Sequence, residues 1–171
     1  MIAKTLTSRL TRTLWQGFKT VLHGAWRRED STAVGCSNHG AYQLNPQFTF
    51  TLTQPSRLCA RLQVTNSNSF PINLSLFSLS PASLGGSGGS SGGGGNSLPL
   101  NASPKKAVCT STGGVYSDRP TGVALATTAS QGDLAPGVWC LVPSSFDPTE
   151  GTFDIIVSFS CKTPVSFSRT H

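Results

Sequence analysis

The chain has 171 residues, of which 37% are hydrophobic, 12% are charged and 18 are Gly. That length fits one domain burying roughly 70% of its unfolded surface, with a surface drawn largely from Ser, Thr, Asn and Gly. The net charge of +6 is carried by Lys4, Arg9, Arg12, Lys19, Arg27 and Arg28. Beyond residue 28 seven basic residues balance seven acidic ones and Lys105-Lys106 is the one basic doublet, so no nucleic acid is expected on the sandwich.

Residues 1–23 form a basic N-terminal extension. Ile2, Leu6, Leu10, Leu14, Phe18 and Leu22 recur at steps of four, with Trp15 and Val21 beside them. This spacing predicts an amphipathic helix. Its basic, hydroxyl-rich, acid-free composition is that of a mitochondrial targeting segment. The alternatives are an element docked on the domain, and a cytoplasmic chain. If the extension is retained, its apolar stripe needs a cover, for which a partner protein is the expected source. A membrane surface is open to this helix alone. No apolar run has the length of a membrane-spanning helix.

From residue 24 to residue 171 the periodicity is two. Phe48, Phe50 and Leu52 alternate with polar residues, as do Leu58, Ala60, Leu62 and Val64. The same holds for Ile72, Leu74 and Leu76, for Val123, Leu125 and Thr127, and for Phe153, Ile155, Val157 and Phe159. Val138 to Val142 is a short, wholly apolar run. Turn residues such as Gln54-Pro55-Ser56 and Ala135-Pro136-Gly137 separate these segments. The pattern predicts an all-β, single antiparallel β-sandwich of about eight strands. Residues 81–106 interrupt it with a Gly/Ser-rich loop, expected to be a flexible coil through Gly85 to Gly95.

Two motif clusters frame this body. The first is Gly24-Ala25-Trp26-Arg27-Arg28 followed by Ser31-Thr32-Ala33-Val34-Gly35-Cys36 and Asn45-Pro46-Gln47-Phe48. The second is Pro136-Gly137-Val138-Trp139-Cys140, Pro143-Ser144-Ser145-Phe146 and Gly151-Thr152-Phe153. Together they resemble the first and last strands of the non-catalytic β-sandwich of the calpain family, its third domain. The resemblance implies that Trp26, Trp139 and Phe146 are core residues. Cys36 then aligns with a cysteine of the sandwich, within the family pattern G-x-W-R-R-G-S-T-A-G-G-C. This chain departs from that pattern twice: Glu29-Asp30 stands for a single Gly, and Val34 for the first Gly of the pair. A β-branched residue is strained at positive φ, so the local turn is expected to differ. The papain-like Q-x-x-x-G-D-C-W segment of the calpain protease core does not occur in these residues.

The remaining chemistry is sparse. Five cysteines, Cys36, Cys59, Cys109, Cys140 and Cys161, are widely spaced with no C-x-x-C, the usage of a reducing compartment. Cys36 and His39 lie close in sequence, but a thiol nucleophile needs a positioned base and an oxyanion hole, and a metal needs three or four ligands. The pair reads as a turn bent by Gly35 and Gly40. The resemblance implies a calcium or phospholipid response in some members. Asp147, Glu150 and Asp154 form the only loose acidic group, too few for calcium, and read as a solvated turn. The expectations are therefore no enzyme activity, no catalytic, cofactor or metal site, and no cofactor. The function expected is that of a structural or accessory subunit of a larger, mitochondrial assembly, contacting other subunits partly through residues 1–23. The alternatives are a regulatory or adaptor domain of a calpain-type cysteine protease, and a weak phospholipid-binding module.

Overall fold

The computed structural model describes residues 17–66, 69–79, 98, 102–127 and 132–170. These form nine strands: β1 (Lys19–Trp26), β2 (Gln47–Leu52), β3 (Leu58–Val64), β4 (Ile72–Ser78), β5 (Cys109–Thr110), β6 (Val123–Ala126), β7 (Gly137–Ser145), β8 (Gly151–Phe159) and β9 (Phe167–Thr170). Only short 3-10 turns accompany them among the described residues. The strands build two antiparallel sheets, one of order β1-β8-β3-β6 and one of order β5-β4-β7-β2-β9.

The alternation read from the sequence is the alternation of the core. Leu58, Ala60 and Leu62 on β3, and Phe153, Ile155 and Val157 on β8, are almost wholly buried. They meet Phe48 and Phe50 of β2, Leu74 and Leu76 of β4, and Leu141 of β7. Neighbouring side chains point to opposite faces of a strand, so each segment buries one set and leaves Cys59, Arg61, Asp154 and Ile156 facing outward. β4 is buried on both faces from Ile72 to Phe77, and so is β7: Trp139 through Ser145 are all buried. A second buried cluster of Tyr42, Phe77, Leu98, Ala102, Cys140 and Val142 covers its other face, which explains its unbroken apolar run.

The helical expectation for residues 18–22 is corrected. Lys19 begins β1, which pairs with β8 from Lys19↔Ser158 to Trp26↔Gly151. Phe18 and Leu22 pack on the main core. Steps of four are also even steps, so Phe18, Leu22 and Trp26 fall on one face of a strand as readily as on one face of a helix. Strand β1 straddles the boundary placed between residues 23 and 24. The rest of the stripe, residues 1–16, lies outside the described residues.

Two further expectations change. The second motif cluster occupies β7 and the start of β8, and β9 follows it, pairing with β2 at the sheet edge. The end of the 81–106 segment is anchored: Leu98 and Ala102 are buried, and Gln47 Oε1 accepts the Leu98 N–H at 3.0 Å. The Gly85 to Gly95 run lies outside the described residues.

Candidate functional site

The two motif clusters are two sides of one contact. Trp26, on β1, is 1% exposed and its indole N–H donates to the Pro143 carbonyl at 3.1 Å. Its ring lies 4.3 Å from that of Phe153 and 5.6 Å from that of Phe70. The Phe153 ring fills the space a side chain at Gly24 would need: a Cβ there would fall 2.4 Å from Phe153 Cζ. That is why Gly precedes Trp by two positions. Further along, the Cys36 N–H donates to the Phe146 carbonyl at 3.0 Å, and the Arg28 N–H donates to Glu150 Oε1 at 3.0 Å. The buried Asn45 side chain ties the intervening loop, donating to the Gly35 carbonyl at 2.9 Å and the Tyr42 carbonyl at 3.0 Å.

Cys36 is 3% exposed, and its link to His39 is between backbones, the His39 N–H donating to the Cys36 carbonyl at 3.1 Å. The His39 imidazole faces Asp147 instead, with Nε2 3.8 Å from Oδ1. Gly35 and Gly40 take φ of 76° and 78°, so the expected bends are present. Val34 escapes the anticipated strain, because the positive φ upstream of Gly35 falls on Ser31 at 56°.

The acidic group does not converge. Glu150 is held by the Arg28 N–H, Asp154 accepts from His23 Nδ1 at 2.7 Å, and Asp147 faces His39. Among the described residues no three His, Cys, Asp or Glu are placed to share a metal ion. These carboxylates therefore do not fit a calcium site of several oxygen ligands. Trp139 is 7% exposed, its indole N–H donating to the Ala135 carbonyl at 3.1 Å. Phe146 is corrected: it is 43% exposed and stacks edge-on against Tyr116 at 5.6 Å, because the turn into Asp147 ends the strand there.

Behind that turn lies a polar layer between β4 and β7. Tyr116 Oη and Ser144 Oγ are 2.9 Å apart, and Asn73 Nδ2 donates to the Ser111 carbonyl at 3.2 Å. Burial holds the ionisable members neutral. It pushes the Cys140 thiol from 9.0 up to about 12 and the Tyr116 phenol from 10.0 up to about 12, and raises the Tyr42 phenol as well. The unfolded chain ionises these groups at their ordinary values. Their contribution to stability is thus complete below pH 9 and is lost as pH rises toward 12, with a slope approaching about 1.4 kcal/mol per pH unit for each group. The urea midpoint should be lower at pH 10.5 than at pH 8. Equal midpoints would show these groups to be solvated.

A groove lies where β6 ends one sheet and β5 ends the other. Its volume is about 700 Å³, and it runs between Ala124–Ala126 and the 107–115 segment, with Lys105 at its side. Val108 and Val115 are exposed there at 47% and 66%. A second depression continues along β6 past Ala124 to Arg61 and Arg119. The sequence signalled only Lys105-Lys106 in this region. Its other residues belong to two different sheets and have no common spacing.

The fold is a two-sheet antiparallel β-sandwich in which the two motif clusters meet. No protein-family model matches the chain. It is similar to the calpain-like protease palB/RIM13 of Cryptococcus neoformans, 29% identical over 134 residues, which is 78% of this chain and 13% of that protein. It is also similar to the calpain-like protease palB/cpr-8 of Neurospora crassa, 25% identical over 153 residues, 84% of this chain and 16% of that protein. The chain is thus related, at low identity, to one segment of calpain-like proteases, and it spans less than a fifth of their length.

Proposed function

We propose that this chain is a non-catalytic calpain-type sandwich that works by contacting other proteins, as a structural or accessory part of a larger assembly. The observation that supports this most is the fate of Cys36, the one cysteine with a nearby histidine. It is buried under the Phe146 turn and its imidazole neighbour is turned toward Asp147. The reading keeps the mitochondrion as its location on the composition of residues 1–16 alone, basic and free of acids. A second reading, a regulatory domain of a calpain-type protease, is favoured by the printed names of the relatives.

Native electrophoresis of gently lysed mitochondrial and cytosolic fractions tests all three statements. The expected result is a species far larger than the chain's own 17.9 kDa, in the mitochondrial fraction. A free species of that mass overturns the accessory reading. A large cytosolic species containing a papain-like protease chain favours the second reading.

A further inference from the structure

We infer that the groove along β6 receives an extended, acidic peptide strand from a protein partner. The inference deepens the accessory reading and rests on it. Strand β6 ends its sheet, so one of its edges carries backbone N–H and C=O groups that no strand among the described residues pairs. Sheet edges are normally blunted by charge, by proline, by bulges or by brevity. Among the described strands, edge β1 carries Lys19 and His23, edge β9 carries Arg169, and edge β5 is two residues long. Strand β6, four residues long, reads Val123-Ala124-Leu125-Ala126 and carries neither a charge nor a proline. The Ala126 carbonyl accepts from the Cys109 thiol at 3.6 Å, a weak donor that a peptide N–H would replace with gain.

The surroundings specify the guest. The exposed Val108 and Val115 offer apolar contacts opposite β6. Lys105 lines one end, and Arg61 and Arg119 line the other. The Arg61 guanidinium donates to the Thr121 carbonyl, which holds it at the groove. Residues 29–171 balance in charge, yet Arg61, Lys105, Lys106 and Arg119 gather here. Asp118 is the one acid in the same stretch of chain. A strand of alternating carboxylate and small apolar residues matches this edge through backbone hydrogen bonds and alternate side chains. No aromatic ring lines the groove, so it lacks the stacking platform that single-stranded nucleic acid uses.

Fluorescence anisotropy on the full chain tests this, with a labelled Glu-Val-Glu-Val-Glu-Val-Glu peptide as probe. Saturable binding is expected. It should weaken about tenfold or more in the Lys105→Glu/Arg119→Glu double variant and, separately, in Val115→Asp. These residues are exposed, and circular dichroism confirms that each variant is folded. The same peptide with alternate amides N-methylated should not bind. No saturable binding, binding indifferent to both variants, or equal binding of the N-methylated peptide would each overturn the proposal. So would tighter binding of an oligonucleotide or of anionic vesicles. If the groove fails while the chain still migrates in a large complex, the accessory reading stands and its contact lies elsewhere. A free chain in the extract overturns that reading whatever the groove does.

Discussion

Trp26→Ala lowers the stability of the sandwich by about 3–5 kcal/mol, the usual cost of truncating a buried Trp. Three losses coincide. The cavity falls between Phe153 of β8 and Phe70. The Pro143 carbonyl loses its indole donor, at about 1–3 kcal/mol when such a group stays dry. The joint between the two motif clusters loses the side chain that reaches from β1 to β7. Against a typical total of about 5–15 kcal/mol, the variant is marginal. Trp26→Phe keeps most of the volume and should lose about half as much. Urea unfolding followed by circular dichroism reads both. An alanine variant within about 1 kcal/mol of the parent would show that the joint is not structural.

Gly122→Ala should cost about 2–4 kcal/mol, combining backbone strain with overpacking. Gly122 has φ of 78°, and a Cβ there would fall 2.1 Å from the Leu62 carbonyl oxygen. That oxygen belongs to β3 and cannot move without tearing the β3–β6 pairing. Gly40 supplies the control, with φ also 78° and no atom within 4 Å of its missing Cβ. Gly40→Ala meets only the conformational penalty, about 1–2 kcal/mol. Thermal unfolding of the two variants separates the terms, and equal losses would refute the steric one. Because Gly122 leads into β6, its variant should also weaken peptide binding at the groove.

The half-buried strands were legible because each buries one face, and a period of two follows from that alone. Leu58, Ala60 and Leu62 illustrate it. Strand β1 was misread because its apolar positions, four apart, satisfy both periods. Only the pairing with β8, more than a hundred residues away, decides between them. Strand β9 was missed because Phe167 is a single apolar residue in a four-residue edge, too short to alternate. The core roles of Trp26 and Trp139 could be read from the motifs. The exposure of Phe146 could not, since it depends on where β7 stops. The candidate groove was almost invisible. It is built from Lys105, Val108 and Val115 on one side and β6 on the other, and proximity across a sandwich leaves no trace in linear spacing.

The pairing of β8 with both β1 and β3 also sets an order of events during synthesis. At about 5–20 residues per second, the ribosome takes roughly 7–26 s to pass from residue 26 to residue 158. Throughout that interval β1 has no strand to join, β3 can pair only with β6, and Phe18, Leu22 and Trp26 remain wet. The nascent chain therefore depends on whatever shelters it until β8 appears, and a ribosome stalled before residue 151 would release a product that cannot close its own core.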